Sequence, residues 1–398
     1  MNPSALPCLT DRSTALGVHR GQKMARSAHA YVRGSTVKFY EWLEAQKRRS
    51  LPEGPPVWIC GDCHAGNLGP LANADGKVEI QIRDMGQAVI GNPAHDLIRL
   101  ALSLATAARG SDLPGITTAK ILEQMIVGYE SGLSQRGIEN AKRPETVGLT
   151  LRNAIRRTWK HLAEERIRDC KPNIPLGNSF WPLEKTERST IRQLFMQEDV
   201  RKLTTMLRCR KDDAGVEVLD AAYWVKGCSS LGRLRFAIIL GVGKKSKRGL
   251  CLMDVKEATG AAAPSYRHTL MPKCNAERVV EGARHLAPHL GERMLATRLF
   301  GRSVFLRELL PQDLKLEIDR LTCDEAMEIG RYLARIVASA HGRQMDATAR
   351  RAWRKELQRN RSRSLDAPSW LWSSVVALVA SHEAAYLEHC RRFSGAQI

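Results

Sequence analysis

Long apolar runs are missing from this chain of 398 residues. A membrane span needs about 18–20 consecutive apolar residues. The nearest stretch, Trp370 to Ala380, is too short and carries serines. The first residues, MNPSALPCLTDRST, hold no apolar core of signal-peptide length. A cysteine framework is missing too. Ten cysteines are scattered, and the only close pair is Cys60 and Cys63. Zinc would want a second pair, or histidines at ligand spacing, and neither is present. Cys60 and Cys63 are therefore read as two small residues, and reduced thiols fit a cytoplasmic protein. No internal repeat is found. Acids are scarce: 42 Asp and Glu stand against 62 Lys and Arg, a net charge of +20. That surplus predicts attraction to polyanions, such as nucleotides, phosphorylated metabolites or nucleic acid, unless it is only a solvated basic surface.

What is present begins at Val57 to Asp84, VWICGDCHAGNLGPLANADGKVEIQIRD. A short apolar strand leads into a tight polar loop. Asn73-Ala74-Asp75-Gly76 then signals a hairpin, because Asp-Gly takes the positive φ angles of a tight turn. Lys77 to Ile82 alternates polar and apolar at period two, as a half-buried strand does. Within this stretch stand Asp62, Asn67 five residues later, and Asp84. Phosphoryl transfer needs a carboxylate to orient the attacking hydroxyl, hard oxygen ligands for Mg2+, a cation on the phosphate tail, and backbone N–H groups to cradle it. Asp62 is placed as the base, with Asn67 and Asp84 as metal ligands. An Asp with an Asn five residues on has the kinase catalytic-loop spacing, and Asp84-Met85-Gly86 resembles Asp-Phe-Gly. His64 is expected to brace the loop or to take part in proton transfer.

The remaining parts come later. Gly227-Cys-Ser-Ser-Leu-Gly232, with Ser229 and Ser230 at its centre, lies between two expected strands and offers backbone amides to phosphates. Lys256 ends a strand and is placed to grip phosphates. A helix glutamate should pair with it, and Glu281 is favoured over Glu277. Val304 to Leu310 would lead into a hinge where adenine docks. Elsewhere the pattern is helical over 16–49 with a break at Arg33-Gly34, over Asp96 to Ala108, Ile116 to Leu133, 145–168 and 187–207, and again from the capping box Thr322 to Glu325. Short β-rich runs begin near 222. Arg350 to Arg363 carries seven basic residues against one acid. The expected organisation is a helical catalytic region over 1–220, a β-rich nucleotide-binding region over 221–312, and C-terminal helices over 313–398.

Taken in order, GDCHAGNLG, IRDMGQA, GNPAHDLIRLALS, KGCSSLGRLRF, VKEA and RVVEGARHL resemble an uncharacterised bacterial family. It is known as domain of unknown function 2252, a distant relative of protein kinases and aminoglycoside phosphotransferases. The resemblance runs from Tyr31-Val-Arg-Gly34 to Ala340-His341. It implies an α+β, two-lobed, protein-kinase-like fold that is circularly permuted, because the catalytic loop precedes the nucleotide-gripping strands. It implies no substrate; the residues themselves lead to the expectation of an ATP- and Mg2+-dependent transferase acting on a small-molecule or protein acceptor. By motif match, Asp62, Asn67 and Asp84 carry over as catalytic and metal positions, and Gly227, Gly232 and Lys256 as nucleotide positions. Two departures stand out. The family has Asp-Phe-Asp-Glu where this chain has Asp84-Met85-Gly86-Gln87, and a second glycine where it has Ser229. Asp96 matches a family aspartate and is read as a brace for the catalytic loop. The rival readings are a nucleotide-binding pseudokinase or an anion- or nucleic-acid-binding module, and a nucleotidyl (AMP) transferase on the same fold.

Overall fold

The structure is a computed structural model. It describes residues 9–46, 50–111, 113–134, 143–167, 171–207, 209–211, 213–227, 231–244, 248–266, 268–316, 321–359 and 367–393. The chain opens with α1 (Leu9–Met24), α2 (Ala28–Gly34) and α3 (Thr36–Glu44). The break expected at Arg33-Gly34 falls between α2 and α3. The first helix starts earlier than its sequence suggests, at Leu9, where the helical pattern is expected only from residue 16.

The opening stretch then forms β1 (Val57–Ile59), a single 3-10 turn over Ala65–Asn67, β2 (Leu68–Ala72) and β3 (Val78–Ile82). β2 and β3 pair antiparallel, with Leu68 opposite Ile82 and Ala72 opposite Val78. Gly76 sits at the turn with φ +86°. A fourth short strand, β4 (Val89–Gly91), pairs back onto β1. Next come α4 (Pro93–Gly110), capped by the Asn92 side chain on the Ala94 N–H, and α5 (Gly115–Gly132). The two basic helical stretches each split into a pair: α6 (Glu145–Arg156) with α7 (Trp159–Arg166), and α8 (Lys185–Leu194) with α9 (Glu198–Thr205). Between the pairs lies a two-residue strand, β5 (Phe180–Trp181).

The β-rich region contains β6 (Val216–Trp224), β7 (Arg235–Val242), β8 (Gly249–Glu257), β9 (Met294–Leu299) and β10 (Arg302–Leu309). Helix α10 (Asn275–Leu286) and the short α11 (Pro288–Gly291) intervene before β9, a strand that sequence patterning missed. With β5 these make one antiparallel sheet in the order β5-β6-β7-β8-β10-β9. The chain ends with α12 (Cys323–Gly342), α13 (Ala347–Leu357) and α14 (Ser369–Phe393). Both reciprocal bonds of the Thr322/Glu325 capping box form at the start of α12. Secondary structure is thus mixed α+β with antiparallel sheets. No described helix is long and apolar enough to cross a membrane.

The sheet is covered on both faces, which is why β7 reads as an unbroken apolar run. Phe236, Ile238 and Leu240 pack with Ile191, Leu194 and Phe195 of α8 and its end. Ala237 and Ile239 face the other way, onto Leu162 and Ala163 of α7. A larger core joins α4, α5, α10 and α12 to β1 and to the β2–β3 hairpin. Helix α5 packs along α12 with backbone against backbone. A Cβ on Gly128 would lie 2.0 Å from the Arg331 carbonyl oxygen, so only glycine lets the two backbones approach this far.

Candidate functional site

The second face of the sheet changes character along its strands. It is apolar at Ile239, Leu252 and Leu309 and charged two to four residues further on, at Arg235, Asp254, Lys256 and Arg307. Period-two alternation keeps these side chains on one face, so the apolar half packs on α7 and the charged half walls a cleft. Opposite stands the loop from Gly61 to Asn67, with Asp84 beyond the hairpin. The cleft has a volume of about 310 Å³, and Asp62, His64, Asn67, Asp84, Gly227 and Lys256 all line it.

One face of α4 shapes the loop. Asp96, Arg99 and Ser103 recur at i, i+3 and i+7 among the apolar residues of this helix, and all three are fully buried. Asp96 Oδ2 accepts the Cys60 N–H at 2.7 Å, and Oδ1 accepts the Gly61 N–H at 2.9 Å. Arg99 donates Nε and Nη2 to Asp62 Oδ1 at 3.1 and 2.9 Å. Ser103 Oγ accepts the Ala65 N–H at 3.2 Å. Gly61, at φ +72°, lets the loop pass over the strand-end segment: a Cβ there would meet the Gln87 carbonyl oxygen at 2.2 Å. Asp96 is thus the brace its sequence position suggests. Arg99 and Ser103 were not singled out, although buried polar residues at helical spacing in an apolar helix were the available signal.

Burial pushes the Asp62 carboxyl above the usual carboxylate range, although the Arg99 guanidinium pulls it down. A carboxylate adjusted in that direction is better matched to proton transfer near neutral pH. His64 is held neutral: burial, and then the charges of Arg33 and Arg99, take it well below the usual imidazole range. Its Nδ1 is buried without a hydrogen-bond partner. The cysteine pair is buried and forms no disulfide, and Cys60 Sγ lies 3.6 Å from the Asp84 carbonyl.

Asn67 turns its amide nitrogen inward, donating to the Asp84 carbonyl at 3.0 Å and the Asp62 carbonyl at 3.4 Å. That leaves its Oδ1 for the cleft. Asp84 keeps 44% of its side chain exposed. Its Oδ1 accepts the Gly86 N–H at 3.0 Å, and Lys256 Nζ reaches Oδ2 at 3.0 Å across 172 positions of sequence. Burial would raise this carboxyl, but Lys256 and Arg307 outweigh it and hold it below the usual carboxylate range. Among the described residues no three His, Cys, Asp or Glu converge on a metal position. One neutral oxygen and one carboxylate are nevertheless the set that fits Mg2+ arriving with phosphates, since Mg2+ is usually held by one or two carboxylates plus substrate oxygens and water.

One expected contact turns out otherwise. Glu281 does not reach Lys256. It pairs with Arg284 at 3.2 Å and His285 at 3.5 Å on its own helix, and Glu277 is exposed. The residue of α10 that points to the cleft wall is Arg278, which donates to the carbonyls of Thr259 at 2.8 Å, Gly86 at 3.1 Å, and Ala88. The helix therefore grips the segments after Asp84 and after Lys256 through backbone oxygens, and Lys256 takes Asp84 as its partner. In the glycine turn, Gly227 and Gly232 both adopt positive φ, +100° and +92°. Gly227 lines the cleft, and Lys23 donates to its carbonyl at 3.0 Å. Ser229 and Ser230 lie outside the described residues.

Comparison with known proteins gives one match. The model of the family described as an uncharacterized protein conserved in bacteria, domain of unknown function 2252, matches residues 12–392. The chain belongs to this family. No curated protein and no solved structure matches it.

Proposed function

We propose that this member of the family is an ATP- and Mg2+-dependent phosphotransferase with a circularly permuted, kinase-like arrangement. The observation that carries the reading is the Lys256–Asp84 contact at 3.0 Å. Phosphoryl transfer needs a phosphate-gripping cation beside a metal-binding carboxylate. Here two motifs distant in sequence, and reversed from the usual kinase order, supply them to one cleft.

In this reading Asp62 orients the acceptor. Arg99 takes both of its hydrogen bonds on Oδ1, so Oδ2 is the oxygen it leaves for an acceptor hydroxyl. Ser103 and Asp96 keep the loop, and therefore that oxygen, in place. Asn67 Oδ1 and Asp84 would hold Mg2+. Bound there, the ion would neutralise phosphate oxygens as charge moves toward the leaving group. Lys256 would hold the α- and β-phosphates, and Gly227, which lines the cleft, would meet them through its backbone amide. His64, neutral and buried, shapes the loop rather than donating a proton.

The test is thermal stabilisation by ATP and Mg2+. Saturation at a hundredfold over Kd adds about 2.7 kcal/mol. Wild type should gain this, while Asp84→Ala and Lys256→Met should lose most of it. A folded wild-type protein that gains nothing would refute nucleotide binding. Label carried to an acceptor from γ-labelled ATP supports phosphoryl transfer. Label carried only from the α position would establish nucleotidyl transfer instead.

A further inference from the structure

The charges lining the cleft do not balance. Ten lysines and arginines line it against four carboxylates. Three of those four are neutralised from outside the lining: Asp62 by Arg99, Asp313 by Arg293 at 3.2 Å, and Glu257 by Arg302 at 3.7 Å. Asp84 is taken by Lys256, and buried Asp254 by Arg235 and Arg307. Besides Arg233, which precedes β7, three lining cations, Arg33, Arg83 and Lys315, have no carboxylate within ion-pair distance among the described residues.

These three come from different parts of the chain: α2, the end of β3, and the segment after β10. The Arg33 guanidinium lies over the catalytic loop, where a Cβ on Gly66 would be 3.5 Å from its Cζ. Arg83 runs across Gly69 and donates Nη2 to the Asp313 carbonyl at 3.1 Å, two residues before Lys315. The Nε atoms of Arg33 and Arg83 are buried without a hydrogen-bond partner. Lys315 stands at the open rim and is drawn down to about 8, by burial first and then by Arg33, Arg83, Arg166 and Lys23. Like charges lining one cleft, with buried donors unused, are costly unless an anion joins them.

We propose that Arg33, Arg83 and Lys315 form a second anion subsite, which takes a phosphate group carried by the acceptor. Its placement decides the source. The nucleotide's cation, Lys256, is on the sheet wall, whereas Arg33 covers Gly66 between Asp62 and Asn67, on the acceptor side. Planar guanidinium groups flanked by an ammonium suit a dianionic phosphate. The assignment of this phosphate to an acceptor, though not the subsite itself, rests on the phosphotransferase reading.

Inorganic phosphate is the probe, titrated calorimetrically into full-length protein alone and saturated with a non-hydrolysable ATP analogue and Mg2+. The variants are Arg33→Gln and Lys315→Met, with thermal melts to show that each folds. Phosphate should bind both forms of the wild type. Each variant should weaken it tenfold or more while leaving the analogue's affinity within about twofold. Phosphate affinity equal in wild type and both variants overturns the subsite. Analogue that blocks phosphate, together with variants that bind analogue tenfold more weakly, overturns the acceptor assignment and gives the subsite to the nucleotide's own phosphates. Phosphate binding that depends on Arg33 and Lys315 in a protein that ignores the analogue upholds the subsite and refutes the ATP reading instead.

Discussion

Replacing Asp96 by alanine should be among the most damaging single changes in the chain, although Asp96 does not line the cleft. The side chain is fully buried and accepts three hydrogen bonds: from the Cys60 and Gly61 amides and from His341 Nε2 at 3.1 Å. Behind His341 the chain of contacts continues. Tyr129 Oη meets His341 Nδ1 at 2.7 Å, and Trp353 Nε1 donates to Tyr129 Oη at 3.3 Å. The indole N–H donates to the Tyr129 oxygen, which meets one ring nitrogen of His341 while the other meets Asp96, so the contacts run unbroken from Trp353 to the carboxylate. Two amide bonds to a carboxylate are together worth about 3–6 kcal/mol. Part of that is offset, because alanine also removes a buried charge, which leaves a loss of about 3–4 kcal/mol. This is a large fraction of a typical stability of about 5–15 kcal/mol. Equilibrium urea denaturation of wild type, Asp96→Ala, His341→Leu and the double variant reads it directly. Contacting groups couple by about 0.5–3 kcal/mol, so Asp96→Ala should cost less in the His341→Leu background. A loss below about 1 kcal/mol for Asp96→Ala, or strict additivity in the cycle, would refute the network as the support of the Gly61–Asn67 loop.

Two further outcomes follow from the same geometry. The carboxyl of Asp62 lies above its ordinary range in the folded protein, so it must lose a proton at a higher pH than an exposed aspartate before it can accept one. The turnover rate should therefore rise with pH through an apparent value above 3.8, the ordinary one for this group. Asp62→Asn should abolish that limb and lower kcat by about 10²–10⁴ with ATP affinity nearly unchanged, whereas an unchanged rate would remove Asp62 from the chemistry. Gly128→Ala places a methyl group 2.0 Å from the Arg331 carbonyl oxygen and must push α5 from α12. Urea denaturation should show a loss of about 1–3 kcal/mol, and a neutral result would place the helices farther apart than described here.

The parts of the fold written in local chemistry were legible in the sequence. The Asp-Gly hairpin, the Thr322 capping box and the alternation of β3 each declare themselves within a few residues, and Asp62, Asn67 and Asp84 stood out by spacing. What distant segments decide was not legible. Strand β9 has no clear alternation of its own: its central residues are half-exposed, and pairing with β10 defines it. The partner of Lys256 is the sharpest case, because kinase order asks for a helix glutamate and α10 offers two. The structure turns Arg278 toward the cleft wall and leaves Glu281 on the outer face of the helix, and the two alternatives predict opposite mutational behaviour. Among the described residues Glu281 pairs with Arg284 and His285 one turn away, an arrangement worth about 0.2–0.5 kcal/mol, so Glu281→Ala should barely alter stability or ATP binding. Arg278 is 3% exposed and holds three carbonyl groups that frame Asp84 and Lys256. Arg278→Met leaves those oxygens unpaired, at about 1–3 kcal/mol for a buried group, and frees the segment carrying Asp84. It should destabilise the protein by about 2–4 kcal/mol and weaken ATP–Mg2+ binding, read by urea denaturation and calorimetry. If instead Glu281→Ala abolishes nucleotide binding while Arg278→Met leaves it intact, the helix faces the cleft with its glutamate, and sequence order was the better guide.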